Sequence, residues 1–429
     1  MAESHKPANK LPKPIRFLFE NSLFLIAGAV VALAWANVDP SQRDAQGHLT
    51  HEGSYDRFIH FDVAALFGHA EQGEDDAHHA NGSAGHGLTV HFLVNDVLMA
   101  LFFALAAKEV WESLLPGGAL SNRRKAMTPL MATAGGVVGP ALLYAGGVLA
   151  VGQWETLGNG WAVPCATDIA FSYLFARIVF GAGHPAISFL LLLAIADDAV
   201  GLIILAVFYP TGDLNPIWLL AAVGAVVMGL GFQRILRLQS FWWYLLIPGV
   251  LSWWAFYKAG IHPALGLTPI IPIMPHAKTD LGIYAREELG RHDTLSEFEH
   301  WWKNPVELIL GLFGLVNAGV VFSSISAGTW LVLLGLLVGK PLGITLFTWI
   351  AEKVLRLEMP AGMTYRHVIT LGALAGIGFT VALFVSSAAF PDPGPVQDSV
   401  KMGALLSFGA AGIGFLLAKL LGIKPETRF

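Results

Sequence analysis

Twelve stretches of this 429-residue chain are long and apolar enough to cross a bilayer, and that feature decides most of what the chain can fold into. A transmembrane helix needs about 20 apolar residues, roughly 17–25 in practice. The stretches lie at roughly 16–36, 91–115, 126–151, 161–180, 186–208, 215–231, 242–257, 260–275, 304–325, 327–349, 366–388 and 399–421. Those at 242–257 and 260–275 are short and hold glycine and proline. Charged residues make up only 13% of the chain, against about 25% in soluble domains. The expected class is therefore an all-α polytopic membrane protein with about twelve transmembrane helices. A net charge of −5 argues against a nucleic-acid partner, and the single cysteine, Cys165, rules out an internal disulfide. The first run follows a basic tail, "HKPANKLPKPIR", with no cleavage site after it, and reads as a span rather than a signal peptide.

Lysine and arginine set the orientation. With the N-terminus inside, the loops on that side hold Arg123, Arg124, Lys125, Arg177, Arg234, Arg237, Lys278, Arg286, Arg291, Lys353 and Arg356. The opposite side holds little beyond Arg43, Arg57, Lys258 and Lys401. Twelve spans return the C-terminus to the inside, so residues 1–15 and 422–429 are expected as cytoplasmic tails around a membrane domain at 16–421. Two loops are long. The outer one, 37–90, contains "HAEQGEDDAHHANGSAGHG", which reads as a solvated insertion with a capacity for weak metal binding. The other, 276–303, is cytoplasmic, with mixed charge and three histidines.

Few ionisable residues fall inside the spans, and each is costly. A charge at the bilayer centre costs about 2.5–3.5 kcal/mol on insertion scales, and such groups usually face a bundle interior or mark an ion path. Asp168, Asp197, Asp198 and Lys340 lie at depth, and Asp96, Lys108 and Glu109 lie in the second span. Lys108 and Glu109 sit close enough to its end to snorkel to the cytoplasmic interface. Asp197 and Asp198 are adjacent in "LLLLAIADDAVGLIILAVFY". Successive helical residues point about 100° apart, so the two cannot share one partner equally. One can face Lys340, which relieves part of its burial cost. The other, with Asp168, makes a hard, oxygen-rich site for a proton or a small cation. Such a site holds one or the other, and that competition is the chemistry of an exchanger.

Two spans look broken. "AVPCATDIAF" places Pro164 and Thr167 in mid-membrane, and "ITLGALAGIGFTVALF" has Gly372, Gly376 and Gly378. Each is the middle span of a three-span unit, at about 126–208 and 327–421, and the two units run in opposite directions. An inverted repeat with interrupted helices points to a transporter's binding site. Freed helix ends present dipoles at depth, where Asp168 can offset positive ends and Lys340 negative ones.

The segments "PCATDIAFSY", "LAIADDAVGLIILAVFY", "GIHPALGL", "LVNAGVVF", "GKPLGI" and "LAGIGFTVALF", with "NDVLMALFF" in the second span, resemble the signature segments of NhaA-type sodium/proton antiporters, in order from about 91 to 390. That family is itself a standing example of inverted repeats with broken helices. The resemblance implies export of Na⁺ or Li⁺ in exchange for H⁺ across the bacterial inner membrane, with no cofactor, by a homodimer formed partly through the loop after the first span. It implies Asp198 as the main ion and proton ligand and Asp197 as the partner of Lys340. Thr167 and Asp168 are expected where the two broken helices cross, Asp168 balancing dipoles and lining the site, so that Asp198 and Asp168 are the Na⁺ ligands.

One stretch departs from the family pattern. The family reads Gly-Leu-Glu-(Ile/Val)-Lys-Arg-Glu at the end of the second span, and here "AAKEVWES" keeps Glu109 but has Lys108, Trp111, Glu112 and Ser113. The arginine position is Glu112, which sets a like charge beside Glu109 in a region the family uses for pH regulation. Two other classes fit less well. An intramembrane aspartyl protease places its aspartates on separate helices and has no role for a buried lysine. A sodium-coupled symporter needs a solute pocket that the sequence does not show.

Overall fold

The computed structural model describes residues 22–43, 49–67, 88–121, 123–181, 183–276 and 293–425. The N-terminal tail, the start of the first span, the His/acid-rich stretch and most of the 276–303 loop fall outside the described residues.

Among the described residues the fold is α-helical apart from a two-stranded ribbon, Gln42–Arg43 with Leu49–His51. Six helices are long and apolar enough to span: Val90–Leu114, Ala126–Val151, Pro185–Phe208, Pro216–Leu236, Ala327–Lys353 and Pro395–Leu420. Two further spans are bent pairs, Trp154–Cys165 with Ile169–Phe180 at 50° and Tyr365–Ala375 with Phe379–Ala389 at 51°. Leu23–Val38, the run of turns from Phe241 to Ala259, and Thr294–Asn317 complete the helical frame. This is the all-α polytopic membrane class with two discontinuous spans that the hydropathy pattern predicts.

Two spans differ from the sequence reading. The stretch 260–275 is not an α-helix but two 3₁₀ turns, Pro263–Leu265 and Thr268–Ile273. Pro263, Pro269 and Pro272 remove the amides an α-helix needs. The span placed at 304–325 is the helix Thr294–Asn317. It starts earlier because Asp293 caps it, accepting from the Ser296 amide at 2.8 Å, with Glu297 in the positive first turn.

Small residues bring the ion-bearing helices together. In a membrane, where lipid is as apolar as leucine, close backbone approach replaces the hydrophobic drive. Ala126–Val151 and Ala327–Lys353 meet at Gly135 and Gly343, where a Cβ on either would lie 2.1 or 2.0 Å from the other's carbonyl oxygen. That contact sets the rotation of the second helix. Gly339 packs on Pro140 beside it, and Lys340 then points into the bundle with none of its surface exposed. A π-helical turn, Gly335–Gly339, immediately precedes the lysine. The segment after the first span is anchored as well: Tyr55 of the short helix Ser54–Ile59 donates to the Val316 and Leu315 carbonyls at 2.7 and 2.9 Å.

Candidate ion-exchange site

The two breaks meet at the middle of the bundle. The first span stops at Cys165, where Pro164 has ended its regular hydrogen bonding, and restarts at Ile169. The second stops at Ala375 and restarts at Phe379. The Asp168 amide donates to the Ile377 carbonyl at 2.7 Å, joining one break to the other. Gly378 allows this approach, and Gly376 lets the helix Ala327–Lys353 close on the same break. A Cβ on Gly376 would lie 2.5 Å from the Leu336 carbonyl oxygen, and one on Gly378 would lie 3.1 Å from that of Ala166.

Three of the four freed helix ends find a charge of opposite sign. Asp168 caps two helices with one carboxylate. Its Oδ1 accepts the Phe171 amide at 3.3 Å, and its Oδ2 accepts the Thr380 amide at 3.2 Å together with the Thr380 hydroxyl. The negative end is met by Lys340, whose Nζ donates to the Cys165 carbonyl. The same Nζ lies 3.0 Å from Asp197 Oδ2, and both side chains are buried. A buried ion pair persists only when further hydrogen bonds satisfy it, and the helix-end carbonyl supplies one.

Asp198, one residue on, points elsewhere. It is half-buried and lines a cavity of about 20 Å³ with Asp197, Ala166, Phe102, Phe103 and Gly201. That is room for a single water-sized guest. Both aspartates line this cavity, and the helical offset between them divides their partners: Asp197 is held by Lys340, and Asp198 is not. Thr167 and Asp168 do not line this cavity. The Asp168 oxygens are occupied by the helix ends, while the buried Thr167 hydroxyl has no hydrogen-bond partner among the described residues. No three His, Cys, Asp or Glu side chains converge as in a resident metal site among the described residues.

A model of the family "Na+/H+ antiporter 1" matches residues 18–418, nearly the whole chain. This chain belongs to that family. A Na⁺/H⁺ antiporter NhaA of Jannaschia sp. (strain CCS1) is 49% identical over 96% of this chain and 98% of its own length. Another, from Desulfitobacterium hafniense (strain DSM 10664 / DCB-2), is 45% identical over 96% of this chain and 97% of its own. A solved sodium proton antiporter, MjNhaP1 of Methanocaldococcus jannaschii, is 14% identical, with a TM-score of 0.48 over 78% of this chain and 87% of that one. The protein is thus a Na⁺/H⁺ antiporter, a transporter rather than an enzyme.

The departure from the antiporter pattern is resolved by a third cluster. Lys108 does not snorkel into water; it is buried. Its ammonium lies 2.6 Å from Glu112, 2.5 Å from Glu299 and 3.7 Å from Glu109. The sequence reading set Glu109 and Glu112 against each other as bare like charges. In the fold a lysine stands between them. Where the antiporter pattern has arginine at the position of Glu112, this chain supplies its cation from Lys108, one helical turn earlier.

Sequence reasoning missed Glu299, Thr380 and the Cys165 carbonyl. Thr380 had a signal, a hydroxyl just after Gly378 in "AGIGFTVALF". The others are brought in by tertiary packing alone.

Proposed function

We propose that this antiporter exchanges Na⁺ or Li⁺ for more than one H⁺ per cycle, electrogenically, in a bacterial inner membrane, and so serves sodium and pH homeostasis. The carrying observation is the division of labour between Asp197, held by Lys340, and Asp198, free on the central cavity. Asp198 is the group that a proton or a cation can neutralise, one at a time. Asp168 acts chiefly on the helix ends, because its carboxylate already accepts three hydrogen bonds. Opening of the Asp197–Lys340 pair supplies a second protonatable group, which is what makes exchange with one cation electrogenic.

Both termini are assigned to the cytoplasm by the excess of Lys and Arg in the loops on their side. The Lys108, Glu109, Glu112 and Glu299 cluster then lies at the cytoplasmic mouth, where it tunes pH dependence. A homodimer is proposed from the family resemblance. The test of the site is Asp198→Asn reconstituted in liposomes. It should insert and fold but show no Na⁺-dependent dissipation of a pH gradient. Wild-type exchange in that variant would overturn the assignment.

A further inference from the structure

We propose that Asp96 and His262 form a second proton-binding site, on the outer side of the bundle, which receives protons on their way to Asp198. The proposal rests on the reading of Asp198 as the exchanging carboxylate and on the orientation given above.

A cavity of about 1140 Å³ occupies the outer end of the bundle. Asp96 and His262 both line it. Asp96 sits on the π-helical turn Leu93–Leu98, and its main-chain oxygen is fixed by the Trp253 indole at 2.8 Å. His262 caps the turn Pro263–Leu265, its Nδ1 accepting the Ala264 amide at 3.4 Å. That bond requires a lone pair on Nδ1, so the neutral ring carries its proton on Nε2. The same Nδ1 lies 3.6 Å from Asp96 Oδ1. Two acceptors therefore face each other across a gap too long for a direct hydrogen bond. Bare, they repel; a proton on Asp96, or one on Nδ1 in exchange for the weak 3.4 Å bond from the Ala264 amide, makes the contact attractive.

The donor set selects the cation. Hard metal cations gather six or more oxygens, and a carboxylate with one imidazole nitrogen falls far short. A proton needs only the two. The side chains are 16% and 9% exposed, shielded yet reachable from the cavity. The other titratable groups facing the cavity are the carboxylates Asp39, Asp56, Asp213 and Asp398, the imidazoles His60 and His91, the phenols Tyr55 and Tyr257, and the ammonium groups of Lys258 and Lys401. Among the described residues none of them forms an ion pair with Asp96 or His262, so they set the field around the pair and leave its gap open.

The site is also placed for delivery. The His262 ring packs 4.8 Å from Phe384, and Phe384 meets Phe103 edge to face at 4.8 Å. Phe103 lines the Asp198 cavity. Two aromatic rings thus separate the outer acceptor pair from the central carboxylate. When they part, a proton held by Asp96 or His262 is the first available to Asp198.

The test uses full-length protein oriented in liposomes, with saturating Na⁺ and fixed pH on the Lys108 face while pH is varied on the Asp96 face alone. Asp96→Asn removes the carboxylate without changing shape, and His262→Asn keeps a capping oxygen for the Ala264 amide. Melting in detergent reports the fold, and Asp96→Glu restores the carboxylate. Each Asn variant should move the half-maximal outer pH down by about one unit, a tenfold loss in proton affinity. The double variant should move it no further, Asp96→Glu should behave as wild type, and Na⁺ dependence from the Lys108 face should not change. Profiles superimposable on wild type, or shifts seen only when pH varies on the Lys108 face, would overturn the proposal. Failure of the Asp198 reading is a separate result, namely continued exchange by Asp198→Asn.

Discussion

Two buried lysines in this molecule do opposite things with the same charge. Lys340 has one carboxylate and one main-chain carbonyl, with no exposed surface. Lys108 has three glutamates whose side chains are 22–37% exposed. The first lysine closes a balance of single charges in a dry place, where removing any member leaves an unpaired charge. The second sits at a wet rim with carboxylates in excess, so protons can come and go there without unfolding anything. A charge balanced one to one holds structure and couples to transport. A charge outnumbered at a water-reached mouth is suited to tuning.

The comparison breaks most readily at Lys340. Lys340→Ala leaves Asp197 without its partner and the Cys165 carbonyl without its cation. Breaking a buried pair costs about 3–5 kcal/mol, so the melting temperature should fall clearly. Asp197 should then hold a proton, because an isolated carboxylate in apolar surroundings neutralises instead of staying charged. Transport current in proteoliposomes should shrink or vanish relative to flux. A variant with wild-type melting and wild-type current would show that Asp197 and Lys340 are not functional partners.

At Lys108 a smaller effect is expected. Glu112→Arg replaces a carboxylate 2.6 Å from the ammonium with a second cation. The activity–pH profile should be displaced, with maximal rate and melting temperature little changed. An unmoved profile would remove the regulatory role of this cluster and leave only a structural one.

The smallest effect lies outside the membrane. His51 at 2.8 Å, with the Ser54 amide at 2.8 Å, holds the Asp39 carboxyl below its usual range, at about 2 instead of 3.8. A group whose pKa is depressed by folding stabilises above its unfolded value, and that contribution is lost as pH falls through the folded one. Between about pH 4 and 2, hydrogen-exchange protection of residues 49–59 should therefore decline, after correction for intrinsic rates. In Asp39→Asn the same segment should show no such step.

What the sequence revealed follows from cost. Asp197, Asp198, Asp168 and Lys340 stand out because a charge inside an apolar run needs a reason. The breaks stand out because proline and glycine interrupt helices at matching places. The partners did not stand out. Glu299 reaches Lys108 across 191 residues, and Thr380 reaches Asp168 across 212. An isolated glutamate near a helix end, or a threonine in an apolar run, looks ordinary. The early start of Thr294–Asn317 was hidden because hydropathy rises only later, although Asp293 and Glu297 carried a capping signal. The division of Asp168 from the cavity was equally hidden, since composition gives a carboxylate no direction.

The central claim is that Asp198 is the carboxylate on which a proton and a cation compete, and that the Asp197–Lys340 pair gives up its proton only when a cation binds there. The direct measurement is proton release into weakly buffered solution when Na⁺ is added to purified protein in detergent. The wild type should release protons on Na⁺ addition, Glu112→Arg should do so with a displaced pH dependence, and Asp198→Asn should release none. Proton release by Asp198→Asn equal to that of the wild type would contradict the account.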